Sequence, residues 1–214
     1  IDSEDELHRI GDALERIVHE TGLEAHGSLG SLNKEQFDYL KSRGLVCFNH
    51  NLETAESHFE RIVGTHSYQS RIDTVRHAKE AGLRVCCGGI FGMGETADQR
   101  IELAMQLREL DVDVIPLNFL NPIPGTPLEH VVPLSPFEII KTIALFRFLL
   151  PEKEIKVAGG REKNLRDFQS MIFFAGADGI IIGNYLTTPG RSPDKDREML
   201  KDLRLSIRVP RRGI

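Results

Sequence analysis

The stretch VCFNHNLET, residues 46–54, changes abruptly from apolar to polar side chains. The first half, VCF, is typical of a buried strand, and the polar half, NHNLET, follows it without a turn signal. In barrels of parallel strands, the functional side chains lie where the strands end. The stretch therefore predicts a parallel α/β fold with a polar site at the carboxyl edge of its sheet.

Similar apolar segments recur along the chain and alternate with amphipathic ones. Helices are predicted at residues 3–20, 33–42, 67–81, 96–110, 135–149, 164–175 and 193–203, with a short turn at 59–63. Strands are predicted at residues 23–30, 45–49, 84–91, 112–119, 155–158 and 179–182. Six short strands, each followed by a helix and with one helix in front, predict an α/β fold in which helices cover a parallel sheet.

This alternation alone does not separate a doubly wound sheet from a (β/α)₈ barrel. No glycine-rich dinucleotide turn follows a strand, and polar residues recur at the ends of nearly all strands, which favours the barrel. Six strands are two fewer than a complete barrel contains, and the chain begins with Ile1. We therefore predict that residues 1–214 form a single domain, an incomplete TIM-type barrel. Its open edges should make the isolated chain self-associate or leave it marginally stable.

Composition excludes several classes of protein. The 214 residues carry a formal net charge of −5, which argues against a nucleic-acid partner. The basic segment RVPRRGI, residues 208–214, is expected to be solvated. No apolar run reaches the ~18 residues of a membrane span, and no signal peptide opens the chain. Three cysteines do not make a disulfide framework, which favours a reducing cytoplasm.

Strand geometry sorts the polar residues into faces. Because side chains alternate along a strand, Cys47, Asn49 and Asn51 share one face, and His50 shares the other with Phe48. If the first face lines the barrel mouth, a thiol and two amides converge there. Candidates with the same placement, on this strand and on others, are Glu24, His26, Ser28, Glu53, Cys86, Pro116, Asn118 and Arg161. Asn, Glu and Arg side chains can hydrogen-bond a ribose, a ureido ring or a carboxylate.

Each candidate also has a structural interpretation. An Asn at a strand end is most often a turn or cap residue, and a lone cysteine is most often a small core hydrophobe. Arg161 can equally be an ion-pair partner at the rim, and His26 can be a structural histidine whose ring nitrogens have hydrogen-bond partners within the protein. Cys86 and Cys87 are adjacent and no second pair exists, so the thiols offer no zinc site. The pattern alone predicts a polar pocket at a barrel mouth and no more.

Five longer segments are together similar to one family. They are NHNLET (49–54), CCGGIFGMGET (86–96), PLNFLNPIPGTPLE (116–129), AGGRE (158–162) and GNYLTT (183–188). In this order, over nearly the whole chain, they resemble the biotin synthases, which are radical S-adenosylmethionine (SAM) enzymes on a TIM-type barrel. The resemblance implies that a [4Fe–4S] cluster cleaves SAM to a 5′-deoxyadenosyl radical. That radical takes hydrogens from dethiobiotin, and a [2Fe–2S] cluster donates the sulfur. It also implies a flavodoxin or ferredoxin as electron donor, and a homodimer.

The resemblance assigns organic ligands to five positions of this sequence. Asn49 and Asn118 would contact the ureido ring of dethiobiotin, and Asn51 would lie between SAM and that substrate. Glu53 would bind the ribose hydroxyls of SAM. Ile90 would lie along the adenine through its backbone.

The resemblance also assigns metal ligands. Cys86 and Arg161 match ligands of the [2Fe–2S] cluster, and Cys87 is expected in the core. His26 stands where the family usually has a cluster cysteine. Imidazole ligates [2Fe–2S] iron in Rieske centres, so His26 is a candidate ligand; an altered or lost cluster is the alternative.

One departure limits what the chain can do alone. The radical SAM signature C-x₃-C-x₂-C is absent, since the only cysteines are Cys47, Cys86 and Cys87. In the family this signature lies on the loop after the first strand, so the chain resembles the last six of eight βα units and is expected to be inactive by itself. Two alternative functions are another radical SAM enzyme, such as the hydrogenase-maturation or methylornithine-forming relatives, and a non-catalytic descendant.

Overall fold

The structure, a computed structural model, describes residues 1, 3–185 and 189–207. Seven parallel strands form one sheet in the order β1-β2-β3-β5-β6-β7, and β4 also pairs with β5. The strands are β1 Ala25–Gly27, β2 Leu45–Asn49, β3 Arg84–Cys86, β4 Gly89–Phe91, β5 Val114–Phe119, β6 Glu154–Val157 and β7 Gly179–Ile180. The strand order follows the chain order, as in a barrel, whereas the order reverses in a doubly wound sheet. The predicted partial barrel is confirmed. The basic segment at 208–214 and the end of GNYLTT lie outside the described residues.

Within the described ranges one helix precedes β1, one follows β7, and the others lie between successive strands, except that β3 and β4 have no helix between them. The helices are α1 Glu4–Thr21, α2 Lys34–Ser42, α3 Glu56–Phe59, α4 Tyr68–Glu80, α5 Ala97–Glu109, α6 Pro136–Leu149, α7 Arg161–Asn164, α8 Met171–Phe174 and α9 Pro193–Asp202. The longer ones begin where the sequence predicts them, because a side-chain oxygen caps the first turn. Ser3, Asn33, Ser67, Thr96 and Ser135 each accept a hydrogen bond from the backbone N–H three residues on.

The strand predicted at 84–91 is two strands in the structure. The chain breaks from the ladder at Cys87 and Gly88, and the N–H of Cys87 donates to the carbonyl of Val114 (2.9 Å). Here the backbone passes so close to β5 that a Cβ on Gly88 would lie 2.0 Å from the carbonyl oxygen of Pro116. Glycine permits this approach.

The helix predicted at 164–175 was also wrong as a single element. The segment consists of the end of α7, a 3₁₀ turn at Arg166–Phe168, and α8. Arg166 takes φ +49°, which interrupts a helix. The carbonyl of Arg161 accepts both the N–H of Leu165 (2.9 Å) and the side chain of Gln169 (2.8 Å), so Gln169 folds back onto α7.

The hydrophobic core lies between the sheet and the helices. Phe48, Val85 and Ile115 are fully buried on the face toward the helices, and Phe48 packs edge-on against Phe37 of α2 at 4.6 Å between centroids. Burying each of these side chains contributes about 1.5–3 kcal/mol. The alternate residues face the concave side of the sheet, and Cys86 of β3 stands in register with Asn49 of β2. The predicted parity therefore places polar residues inside the curve. Among the described residues no helix is long and apolar enough to cross a membrane.

Candidate active site at the carboxyl ends of the strands

A cleft of about 620 Å³ opens where β2 ends. Three of the residues to which the resemblance assigns ligands, Asn49, Asn51 and Glu53, line it together, and so does Ser28, a candidate by strand parity. The other lining residues come from the start of the chain, from the segment after β1 and from the region of α4: Ile1, Gly30, Ser31, His50, His66, Ser70 and Arg71. The stretch after β2 is therefore one wall of a cleft, as its polar run indicates.

Hydrogen bonds to the neighbouring chain segment give this wall its shape. Asn51 accepts from the N–H of Gly88 through its side-chain oxygen (3.1 Å), and the carbonyl of Glu53 accepts from the N–H of Ile90 (2.8 Å). Ile90 is thus next to Glu53, although it does not line the cleft, and its contact with an adenine stays a prediction. Glycine is required at position 89 because a Cβ there would lie 2.6 Å from the carbonyl oxygen of Glu53.

Glu53 faces Arg71, a residue that the sequence analysis missed. Its Oε1 lies 3.7 Å from Nη1 of Arg71, and the same nitrogen donates to the carbonyl of Asn51 (2.8 Å). Burial raises the pKa of Glu53, and Arg71 and the Asn51 side chain act in the opposite direction. The only sequence signal for Arg71 was its place in the first turns of α4.

His50 is held as a neutral imidazole. Its ring stacks on Phe48, with centroids 6.0 Å apart and planes 17° apart. It shares a strand face with Phe48, as parity predicts, yet it also lines the cleft. Burial, with a smaller contribution from Arg71, lowers the pKa of His50 to about 4.

Three buried polar atoms around this cleft have no hydrogen-bond partner. They are Nε2 of His50, Oε2 of Glu53 and Nε of Arg71. Buried polar atoms are nearly always partnered in folded proteins. Five further exceptions among the described residues do not line this cleft, so the three atoms mark unused bonding capacity beside the cleft and do not by themselves identify a ligand. The arrangement offers an acceptor at Glu53 and a donor at Arg71, with an amide wall alongside.

Asn118 lies elsewhere on the sheet, near the end of β5. Its Nδ2 donates to the carbonyl of Gly89 (3.2 Å), and its Oδ1 accepts from the N–H of Gly159 (3.0 Å). It does not line the cleft, so its contact with a substrate stays a prediction. Its amide is nevertheless held in one orientation by backbone on both sides.

The predicted metal ligands Cys86 and His26 stand on β3 and β1, and their binding of a cluster stays a prediction. Cys86 is half-buried, and burial raises its pKa to about 11. His26 stands in register with Cys47, and its Nε2 lies 3.6 Å from Glu24. Within residues 1, 3–185 and 189–207 no group of three or more His, Cys, Asp or Glu side chains could hold a metal ion.

Arg161 is more deeply buried, and makes more hydrogen bonds, than a position at the barrel rim implies. It is fully buried, and its Nη2 lies 2.5 Å from Oδ2 of Asp196, which is itself 1% exposed. Nη1 donates to Gln169 (2.9 Å), and Nε donates to the carbonyl of Ile181 (3.3 Å). None of these partners lies on the strands that carry Cys86 and His26. The role of Arg161 as a cluster ligand stays a prediction, and this geometry does not support it.

Comparison with known proteins places this arrangement in a family. The Radical SAM superfamily model matches residues 2–107, and the model of the Biotin and Thiamin Synthesis associated domain matches residues 116–206. Among solved structures, methylornithine synthase superposes with a TM-score of 0.80 at 20% identity, over 96% of this chain and 65% of that one. A maturase of the [FeFe]-hydrogenase superposes with a TM-score of 0.77 at 17% identity, over 93% and 49%. At these identities the likeness concerns the fold alone. Fold, cleft and matched models together define the class as the radical SAM barrels.

The sequence comparison is more specific. The chain is 57% identical to the biotin synthase of Geotalea uraniireducens over 206 residues, 96% of this chain and 63% of that protein. It is also 57% identical to the biotin synthase of Geobacter sulfurreducens, over 95% of this chain and 62% of that protein. Within the radical SAM class, the chain belongs to the biotin synthase family. It spans less than two thirds of the length of these relatives.

Proposed function

We propose that the protein to which this chain belongs is a biotin synthase, which inserts sulfur into dethiobiotin in a SAM-dependent reaction. The observation that carries the proposal is the strand-end cleft, with its three unpartnered buried atoms, in a chain of this family. Its volume of about 620 Å³ suits a nucleoside-sized ligand, since small-molecule sites commonly measure ~300–1,000 Å³.

The residues of the cleft fit SAM. Glu53 offers a carboxylate oxygen with no protein partner to the ribose hydroxyls, and Arg71 favours the charged form of that carboxylate. The amide of Asn51, anchored to Gly88, would separate SAM from the substrate, and Ile90 would lie along the adenine. When bound, SAM and the iron–sulfur clusters of the family supply the radical and the sulfur. The chain's own residues bind the ligands, orient them and keep water out.

Asn49 and Asn118 are proposed to hold dethiobiotin. A ureido ring presents one carbonyl acceptor and two N–H donors, and an amide side chain complements both. Asn49 ends β2 at the cleft, and Asn118 stands near the end of β5. The substrate would therefore lie across the concave side of the sheet.

The described residues give less support to an auxiliary cluster than to the SAM site. Among the described residues Cys86 and His26 do not belong to a group of three or more His, Cys, Asp or Glu side chains that could hold a metal, and Arg161 is bonded to Asp196. We therefore derive no step through a [2Fe–2S] cluster. The three-cysteine signature for a [4Fe–4S] cluster is absent from these 214 residues, so its ligands are proposed to lie outside them.

A two-part experiment tests the function. The full natural protein, reconstituted anaerobically with iron and sulfide, is expected to convert dethiobiotin to biotin with SAM and a reduced flavodoxin or ferredoxin. The 214-residue chain, treated identically, should release no 5′-deoxyadenosine. Failure of the full protein to form biotin would overturn the proposed reaction. Release of 5′-deoxyadenosine by the short chain would overturn the proposed location of the cluster ligands.

The remaining proposals concern the setting of the enzyme. By analogy with the family, it acts in the cytoplasm as a homodimer and does not bind nucleic acid. The net charge of −5 supports the last point. Sedimentation equilibrium of the full protein tests the dimer, and a single species with the monomer mass would contradict it.

A further inference from the structure

We infer that Arg161 is a positioning residue: its buried ion pair with Asp196 holds the turn after β6, and that turn orients the side-chain amide of Asn118. The inference rests on the proposed function in one respect, namely that Asn118 contacts dethiobiotin. It gives Arg161 a role different from that of a cluster ligand.

The first step is the anchoring of Arg161 itself. Its guanidinium joins three parts of the chain, through Asp196 of α9, Gln169 before α8 and the carbonyl of Ile181 after β7. Asp196 also accepts from Arg191 (2.8 Å). A buried arginine is tolerated when its charge is paired and its donors are used, and both conditions hold here. Withdrawing Arg161 toward a metal would leave the carboxylate of Asp196 buried with only one cation beside it.

The second step leads from Arg161 to the turn that precedes it. Gly160 takes φ +80°, and a Cβ on it would lie 1.9 Å from the carbonyl oxygen of Phe119. The carbonyl of Gly159 accepts from the N–H of Phe119 (2.8 Å). The turn is therefore pressed against the end of β5, and Arg161 is the first residue after it.

The third step is the contact with Asn118. The N–H of Gly159 donates to Oδ1 of Asn118, which directs Nδ2 to the carbonyl of Gly89. Each end of the amide keeps further bonding capacity, a lone pair on the oxygen and a second hydrogen on the nitrogen. That capacity is available to a ureido ring only while the turn fixes the amide plane.

A pair of variants with a matched control tests the inference. Arg161→Met removes the anchor, and Asp196→Asn is the milder change should Arg161→Met fail to fold. The control is Arg147→Met, because Arg147 also joins separate parts of the chain through its guanidinium. It bonds the carbonyl of Gly176 and the carboxylate of Asp178. Asp178 also accepts from the N–H of Ile155, near the amino end of β6 and away from Asn118.

The first readout is amide hydrogen exchange at Gly159, measured without ligand. Both Arg161→Met and Asp196→Asn are expected to raise the exchange rate at Gly159 by about tenfold or more, the equivalent of one lost hydrogen bond. Arg147→Met should leave that rate unchanged. Unchanged exchange at Gly159 in both test variants would overturn the inference whether or not the protein is a biotin synthase.

The second readout is dethiobiotin affinity of the full protein, by calorimetry at a temperature where each variant is folded. Arg161→Met is expected to weaken binding by about tenfold, and adding it to Asn118→Ala should cause no further loss because both act through one contact. Absence of binding by the unmodified protein would count against the proposed function alone. Loss of bound iron in Arg161→Met but not in Asp196→Asn would restore the ligand role and overturn the inference.

Discussion

Two pairs of opposite charges in this molecule differ in how completely they are bonded. Glu53 and Arg71 in the cleft are partly exposed, with 24% and 16% of their side chains accessible, whereas Arg161 and Asp196 between α7 and α9 are each only 1% exposed. In the cleft the closest nitrogen–oxygen distance is 3.7 Å, and each side chain keeps a buried atom without a partner. In the second pair the distance is 2.5 Å, and every guanidinium nitrogen is bonded. The two pairs use the same chemical groups but leave different amounts of bonding capacity.

That difference separates a binding site from a structural clamp. A satisfied buried network stabilises one arrangement of the chain, whereas a partly satisfied one costs free energy until something completes it. Removing one partner of Arg161–Asp196 should therefore lower the free energy of unfolding, whereas removing one partner of Glu53–Arg71 should lower the affinity for the ligand.

The largest effect is expected at the clamp. Asp196→Ala leaves the Arg161 guanidinium buried without its carboxylate, which should lower the free energy of unfolding by about 3–5 kcal/mol. Urea unfolding followed by circular dichroism measures this. The matched control is Asp194→Ala in the same helical turn. Its carboxylate is 90% exposed, so a change of no more than about 0.5 kcal/mol is expected. Equal losses in the two variants would remove the distinction between this pair and a surface one.

The next effect is a dependence of stability on pH, which comes from His50. Its pKa is about 4 in the folded protein against an ordinary value of 6.5, so the unfolded chain binds the proton more readily. Above pH 6.5 the imidazole is neutral in the folded and the unfolded state, so it does not affect the free energy of unfolding. As the pH falls toward 4, the free energy of unfolding should decrease by up to about 3 kcal/mol. His50→Gln should flatten this part of the curve, measured by urea unfolding at several pH values. His19→Gln, on the exposed face of α1, controls for loss of an imidazole. Parallel curves for the protein and His50→Gln would contradict the prediction.

The smallest change in free energy is expected at Glu53, and it should appear in binding. Glu53→Gln removes the charge but keeps the shape, so SAM affinity of the full protein should fall by about tenfold, or ~1.4 kcal/mol. Stability should change by less than about 1 kcal/mol, because no satisfied network is broken. Calorimetry and urea unfolding measure the two quantities, with the exposed Glu56→Gln as control. A stability loss as large as that of Asp196→Ala would show that the cleft pair is structural too.

Much of the fold could be predicted because it depends on local patterns. Capping residues marked the helix starts, and strand alternation put Asn49 and Cys86 on one face, where the register pairs them. The same parity grouped Asn49 with Asn51 and, beyond the strand, Glu53 in one cleft. These features follow from spacing within a few residues.

The remainder depended on contacts distant in sequence. Arg161 was expected at the barrel rim, but its partner Asp196 lies 35 residues further on and nothing in its own neighbourhood indicates burial. Arg71 lies on α4, 18 residues after Glu53 in the sequence. Its position beside Glu53 depends on how α4 packs against the sheet, which the local sequence does not indicate. The break at Gly88 reflects the approach of Pro116, another contact between strands.

The separation of Arg161 from Asp196 also bears on the order in which the protein is made. A ribosome adding about 5–20 residues per second needs roughly 2–7 seconds to travel the 35 residues between them. During that interval the arginine has emerged without the carboxylate that allows it to be buried. If this pair holds the turn after β6, the turn takes its final place only when α9 has been synthesised, so α9 sets the time at which this end of the sheet closes.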